Sequence, residues 1–308
     1  MQKMKTTTFH GWYRKNFAKL FPLMLILPSV KIIMIFCFYP MIRAFLYAFY
    51  NYQRTKPKAY GFIKLENFRK IFTTDSVFLL STVNSFKWVV SEVLLQLVLG
   101  LCFALILNQQ FKGRGIARTI CFVPWAVSGV MTTMLWRVMY NENIGLINNL
   151  LSIVGLGAYR TAWLQNIKTV FPAIVVAELW RGIPFFAITM LSALQGIPGE
   201  LFESAKVDGG SGRQILFRVT LPYIRQSIVF ATLMRVIWEI KSVDLIMTMT
   251  NGGPMRKTTT LPIYIYQKAI VEGNYGYGSA LSVILFIFLS IFAVFYLKAN
   301  DFGKGIHE

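Results

Sequence analysis

Acid is what this chain has least of: 13 Asp and Glu stand against 32 Lys and Arg, a formal charge of +19 over 308 residues. Histidine occurs only as His10 and His307, and cysteine only as Cys37, Cys102 and Cys121. No CxxC spacing and no dense Cys/His cluster is present, which excludes the usual metal-ligand patterns. The cysteines each fall inside an apolar stretch and read as inert packing residues. Also missing are GxxxxGK[ST], HExxH and GxSxG; Lys257-Thr258 follows no suitable glycine pattern, and neither histidine is paired with a plausible nucleophile. No motif of an enzyme is left, and none of a phosphate-cradling loop.

What is abundant is apolar surface. The chain is 55% hydrophobic and only 15% charged, with a mean hydropathy of +0.53, a composition for which the bilayer is the natural solvent. In a soluble protein a charge of this size would point to nucleic acid. Here Lys and Arg sit largely in the tail and connecting segments, which fits membrane topology and argues against a nucleic-acid partner.

The apolar residues collect into six stretches long enough, at about 1.5 Å per residue, to cross a hydrocarbon core of about 30 Å. They run from Phe21 to Phe49, Thr82 to Leu107, Arg118 to Val138, Thr169 to Leu194, Pro222 to Met247 and Ser279 to Leu297. The first contains Pro28, Lys31, Pro40 and Arg43, which predicts a kinked helix partly covered by protein. Lys3, Lys5, Arg14, Lys15 and Lys19 precede it as in a secretion signal, but the run continues to about Tyr50 without a small-residue cleavage site, so it reads as a retained helix. The expected organisation is a basic tail (1–20), one transmembrane domain (21–298) and a short C-terminal tail (299–308).

The acid-free N-terminal tail and the segment with Lys112, Arg114 and Arg118 read as cytoplasmic under the positive-inside rule. The loop after the first helix disagrees: Arg54, Lys56, Lys58, Lys64, Arg69 and Lys70 face only Glu66 and Asp75, although six helices with the tail inside place that loop outside. The other loops decide the expected orientation.

The segment from Gln195 to Leu221 is too polar to span. It reads Glu203-Ser204-Ala205-Lys206-Val207-Asp208-Gly209-Gly210, followed by an amphipathic stretch and Leu221-Pro222. Ile197-Pro198-Gly199 can start a short helix and the glycines can break it, which predicts an elbow that projects as a rigid knob. The bland alternative is an ordinary helix–turn–helix connector.

This order resembles the EAA motif of permease subunits of bacterial binding-protein-dependent ABC importers, with Ser204 and Gly210 each replacing an Ala. Phe122-Val123-Pro124-Trp125, Trp180-Arg181-Gly182-Ile183-Pro184-Phe185, Thr250-Asn251-Gly252-Gly253-Pro254 and Tyr275-Gly276-Tyr277-Gly278-Ser279-Ala280 extend the resemblance over nearly the whole chain, toward the carbohydrate branch that includes maltose and glycerol-phosphate permeases. The resemblance implies an all-α integral membrane protein with six transmembrane helices and the type I ABC importer permease fold, in the cell membrane with its N-terminus cytoplasmic. It implies a cytoplasmic coupling helix in which Glu203, Ser204, Ala205, Asp208, Gly209 and Gly210 engage a separate ATPase. The implied partners are a second, related permease subunit, two ATP-binding subunits and an extracytoplasmic solute-binding protein. No cofactor belongs to this chain, ATP being bound by the partner.

Ionisable groups inside membrane helices are costly unless paired or facing water. Glu178 and Arg181 are three apart and Arg235 and Glu239 four apart, so each pair can meet on one helix face. For Arg235, Lys241, Lys87 and Glu92 a structural ion pair or snorkelling is the plainer reading. By resemblance, Glu178 and Glu239 match positions that line the sugar pocket of maltose-type permeases, together with Trp125, Arg181, Gly182, Phe185, Trp238 and Ser242. A sugar offers hydroxyls to such polar groups and flat C–H faces to such rings, although packing alone would also account for Trp125 and Phe185. Same-family transport of a glycerol phosphate or polyol is the close alternative. An ion-coupled secondary transporter, using Glu178 or Glu239, is a more distant one, and no inverted repeat is evident.

Overall fold

The computed structural model describes residues 8–300, with side chains described from Phe21 onward. Lys3 and Lys5, the side chains of His10, Arg14, Lys15 and Lys19, and residues 301–308 with His307 lie outside the described residues, so the expectations placed on the two tails fall largely there.

Helix α1 (Thr8–Ile33) widens at Met34–Phe38 into a π-helical turn and continues as α2 (Tyr39–Tyr47). Pro40 accounts for the widening: it lacks an N–H, and its ring crowds the carbonyl four residues back. Phe21–Tyr47 is one apolar span of 27 residues. A small antiparallel hairpin follows, β1 (Tyr50–Asn51) on β2 (Gly61–Phe62), with Tyr50 opposite Phe62 and Asn51 opposite Gly61. Next come α3 (Glu66–Thr73) and the long α4 (Ser76–Asn108).

Asp75 explains why α4 begins earlier than the apolar run alone predicts. Its Oδ1 accepts the Val77 and Phe78 amides at 3.0 Å, closing the first turn, while its Oδ2 accepts the hydroxyls of Tyr264 and Tyr277 at 2.6 Å.

The third expected span is two helices, α5 (Arg114–Ala126) and α6 (Gly129–Met139), bent by 95°. Val127 is extended and Ser128 caps α6 by accepting the Met131 amide, so the apolar run that reads as one helix contains a start signal in its middle. After α7 (Leu146–Ile153), α8 (Val170–Gln195) matches the fourth expected span closely. The loop that follows holds α9 (Gly199–Val207), α10 (Gly212–Ile215) and α11 (Leu221–Tyr223).

The fifth expected span is also broken. Helix α12 (Arg225–Ile240) ends at Lys241, and α13 (Asp244–Thr250) starts after Ser242 and Val243. Its 16 residues reach about 24 Å, short of a bilayer core of about 30 Å. The chain closes with α14 (Leu261–Tyr266) and α15 (Tyr275–Ala299), whose start is capped by Asn274. Among the described residues, four helices are long and apolar enough to cross a membrane, or five if the bent α5–α6 pair makes one crossing.

Helices α4 and α8 form the centre and run parallel: Trp88 meets Phe171, Gln96 faces Gly182, and Gly100 faces Phe186 and Ala187. Both therefore start at the end that carries the hairpin, and α8 delivers the chain to the α9 loop at the other end. Helix α12 returns antiparallel to α4, since its later residues Arg235 and Glu239 reach Gln96 and Trp88. Trp88, Ile174, Phe186, Met190 and Ile246 are buried in the main core, and Ile71, Tyr264 and Leu281 in a second cluster at the hairpin end. Residues 21–43 are exposed throughout, and near the end of the first span the Phe45 ring meets the Phe286 ring of α15 at 5.5 Å.

Candidate functional site

Three helices bring a polar cluster into the apolar centre. Helix α4 contributes Trp88, Glu92 and Gln96, spaced by four and therefore on one face; α8 contributes Glu178 and Arg181; α12 contributes Arg235 and Glu239. Arg235 is the hub. Its Nη2 lies 2.9 Å from Glu178 Oε1 and 2.6 Å from Glu239 Oε1, and its Nε donates to Gln96 Oε1 at 2.5 Å. Arg181 closes on Glu178 through two bonds of 2.7 and 3.1 Å. Trp88 Nε1 donates to Glu239 Oε2 at 3.1 Å, and Gln96 Nε2 to Glu92 Oε2 at 2.8 Å. Three carboxylates thus face two guanidiniums. Glu92 Oε1 is buried with no hydrogen-bond partner among the described residues.

Gly182 is what lets the three helices approach. A Cβ there would run into the Gln96 amide and Arg235 Nη2. The position expected to line a solute path is thus first a space-maker for the cluster.

Glu178 and Glu239 are almost wholly buried, at 0% and 2% relative exposure, and both are engaged by Arg235. Arg181 keeps 31% of its side chain exposed and forms the cluster's accessible edge. Next to it, the rings of Phe185 and Trp238 meet edge to face at 5.0 Å, and Ser242 lies in the break between α12 and α13, donating its amide to the Glu239 carbonyl. Trp125 is exposed on α5 and, among the described residues, makes no hydrogen bond or ring contact with the other seven. Arg235 is a structural ion pair, as its plainer reading had it, and Lys241 is exposed. Lys87 and Glu92 are not paired with each other: Lys87 is exposed and Glu92 turns inward to Gln96. The sequence reasoning missed Trp88 and Gln96, although two hydrogen-bonding side chains bracketing Glu92 at four-residue spacing, all on one helix face, were a usable signal.

An open cavity of about 750 Å³ lies at the hairpin end, lined among others by Arg137, Asn141, Gln165, Thr250 and Asn251. None of the eight residues expected on the solute path lines it.

At the opposite end the α9 loop is an exposed elbow. Gly209 takes φ = +77°, a left-handed conformation that costs a side chain about 1–2 kcal/mol. Its amide bonds the Lys206 carbonyl at 3.0 Å and the Gly210 amide bonds the Ala205 carbonyl at 2.9 Å, ending α9. Ser211 and Gln214 then cap α10 reciprocally. Glu203, Ser204 and Asp208 are exposed, Ala205 and Gly210 half-buried, and Val207 is 87% exposed, so an apolar side chain stands out among polar ones. Phe202 anchors the base of the elbow against the main core.

The sequence profile of the family described as "Binding-protein-dependent transport system inner membrane component" matches residues 96–301, which include both the elbow and the cluster from Gln96 onward. The chain belongs to this family. Among relatives of this inner membrane component, the trehalose/maltose transport system permease protein MalF of Thermococcus litoralis is 34% identical over 281 residues, covering 91% of this chain and 94% of its own. The diacetylchitobiose uptake system permease protein NgcF of Streptomyces coelicolor is 32% identical, covering 90% and 81%. Among solved structures, a bacterial ABC transporter involved in import of the acidic polysaccharide alginate superposes with a TM-score of 0.82 at 24% identity, covering 94% of this chain and 98% of that one. The fold is therefore that of a type I ABC importer permease, and this inner membrane component is a multi-pass transport subunit rather than an enzyme.

Proposed function

We propose that this permease subunit carries a sugar or oligosaccharide across the cell membrane, driven by ATP that a separate subunit binds and hydrolyses. The observation that carries the reading is the elbow: a short, exposed helix with a fixed glycine stop, anchored through Phe202 to the same core that holds the polar cluster. Helix α9 acts as the coupling helix. Glu203 and Asp208 make polar contacts around a socket on the ATPase, Ser204, Ala205 and Gly210 keep the knob slim, and Gly209 forms its turn. Closure of the ATPase pair then moves α8 and α12, between which the elbow lies.

The elbow faces the cytoplasm and the hairpin end faces outward, with six crossings in the domain 21–298, coupling loop 195–221, and the tails 1–20 and 299–308 flanking it. The bent α5–α6 pair makes one crossing and α12 with α13 another, their breaks tolerated because irregular backbone lines protein rather than lipid. A second, related permease completes the channel. The exposure of the first span, and of Trp125, Arg181 and Trp238 near the centre, supports such a partner.

Sugar as the solute is supported by the names of the relatives and by the chemistry at the cluster's edge, where the Arg181 guanidinium, the Ser242 hydroxyl and the Trp238 and Phe185 rings offer hydrogen bonds and flat faces, with the exposed Trp125 of α5 a further ring on the path. Glu178, Gly182 and Glu239 hold that edge in place. Alternating access delivers solute from an extracytoplasmic binding protein to this edge and releases it inward. The test is uptake of labelled sugars into proteoliposomes holding the complete complex. Uptake that needs ATP and the binding protein is expected; uptake driven by an ion gradient without ATP would contradict the reading.

A further inference from the structure

The cavity of about 750 Å³ at the hairpin end has no role in the transport cycle just described, although its size is that of a small-molecule site. Its polar lining is largely unspent. The side-chain amides of Asn143, Gln165 and Asn251 and the carboxylate of Glu142 make no hydrogen bond among the described residues. Asn141 uses only its Oδ1, which accepts the Asn143 and Ile144 amides. Arg137 uses one N–H, on the Thr248 carbonyl at 3.3 Å. One guanidinium and one carboxylate balance in charge, and the other polar side chains of the lining are amides and hydroxyls. Amides both donate and accept, as sugar hydroxyls require, while Tyr140, Leu164 and Pro254 supply apolar wall for C–H faces.

These groups stand on fixed walls. The Tyr140 hydroxyl donates to the Ala173 carbonyl at 3.1 Å, holding the end of α6 against α8. Asn148 of α7 donates to the Glu142 and Thr161 carbonyls at 3.0 Å, and its Oδ1 accepts the Trp163 indole N–H at 2.8 Å, which clamps the two loops that carry Asn143 and Gln165. On the α13 side, Thr258 and Thr259 donate to the Gly253 and Gly252 carbonyls at 2.8 and 2.9 Å. The cavity is also tied to the cluster's edge by α6 itself. A Cβ on Gly129, at the start of α6, would lie 3.6 Å from Arg181 Nη1, and Arg137 follows eight residues later, about 12 Å along the helix. Between them Thr132 Oγ1 and Trp136 Nε1, buried and one turn apart, have no hydrogen-bond partner among the described residues. Polar atoms left this way are normally satisfied by water or a polar ligand.

We infer that this cavity is an outer subsite for an uncharged oligosaccharide, in which Arg137, Asn143, Gln165 and Asn251 hold the trailing rings of a solute whose leading ring reaches the edge formed by Arg181 and Ser242. The inference deepens the proposed function and rests on it. Two anchoring points on one rigid helix favour a solute long enough to engage both, because the second contact is made without a further loss of translational freedom. The subsite therefore selects for chain length, while the inner edge meets short and long solutes alike. Its balanced charge favours an uncharged sugar over an anionic solute such as a glycerol phosphate, whose charge would face the Glu142 carboxylate as well as the Arg137 guanidinium.

The test uses the complete complex and the probes maltose, maltotetraose and glycerol 3-phosphate, the sugars chosen after the trehalose/maltose relative. In nanodiscs, Asn143→Cys places a thiol in the cavity for a water-soluble maleimide, with the native chain as background. Maltotetraose is expected to slow its modification about fivefold and saturably, maltose less, and glycerol 3-phosphate not at all. In proteoliposomes with saturating loaded binding protein, Gln165→Ala combined with Asn251→Ala removes two amides. Maltotetraose uptake is expected to fall about tenfold and maltose uptake by less, with the complex still assembled. Unchanged modification in the presence of maltotetraose would overturn the inference, as would equal protection by glycerol 3-phosphate or an equal loss of uptake for both sugars. In each of those cases ATP-driven sugar uptake by the native complex leaves the functional reading standing. A native complex that takes up no sugar under ATP would instead overturn that reading, and this inference with it.

Discussion

Arg235 of α12 and Glu178 of α8 meet at 2.9 Å across 57 residues of sequence, and the same Arg235 nitrogen lies 2.6 Å from Glu239 one turn further along its own helix. One guanidinium therefore ties together the two helices that flank the elbow. Buried pairs of this kind add little net stability, but removing one partner strands a charge away from water.

Removing Arg235 is expected to be severe. Arg235→Gln leaves the buried Glu239 carboxylate with no guanidinium and should cost about 3–5 kcal/mol, whereas Glu178→Gln leaves Arg235 paired with Glu239 and should cost less. The double variant should recover part of the loss, with a coupling of about 1–3 kcal/mol. Thermal unfolding of the purified complex measures both; additive losses would place the two side chains in separate environments.

Gly182→Ala adds a single methyl group where Gln96 and Arg235 converge. Overpacking of this kind costs about 1–3 kcal/mol. The melting temperature should fall, while Gly199→Ala, at a position with open space around it, should leave it within error. Equal effects would remove the spatial role assigned to Gly182.

Asp75 gives the molecule an acid-sensitive joint. Burial pushes its carboxyl up, but hydrogen bonds from Tyr264, Tyr277 and the Phe78 and Val77 amides outweigh it and hold the group below its ordinary range. A depressed folded-state pKa contributes stability that is fully present above the unfolded value of about 3.9 and is lost as pH falls through the folded one. Melting curves taken downward from neutral pH should show this loss at the acid end, and Asp75→Asn, which keeps a helix-capping oxygen, should flatten it.

Much of this was legible beforehand because it is local. The elbow follows from Pro198, Gly209 and Gly210 in order, and α8 and α15 from uninterrupted apolar runs. The break at Val127–Ser128 was hidden because hydropathy averages over a window and does not register a single capping serine, and the break at Lys241–Val243 carries no side-chain cap to register. Asp75 reads as a loop acid until Tyr264 and Tyr277, 189 and 202 residues away, turn it into an anchor. Glu178 and Glu239 were legible as important, but their burial was not, because Arg235 engages Glu178, and Trp88 and Gln96 engage Glu239, from other helices.

Val207 stands 87% exposed at the tip of α9, where none of the described residues covers it. Val207→Asp should leave the fold unchanged and weaken retention of the ATPase subunits during purification by about tenfold, as loss of an apolar anchor at an interface centre does. Undiminished retention would mean that the tip is not seated in a socket.

The most direct test of the coupling role is Gly209→Pro in the complete complex, reading ATP-driven solute uptake and solute-stimulated ATPase together. Proline cannot adopt φ = +77° and has no amide for the Lys206 carbonyl, while the surrounding space is open, so the change is confined to the elbow. Loss of both activities with the complex still assembled is the predicted result. Unchanged ATP-driven uptake would contradict it.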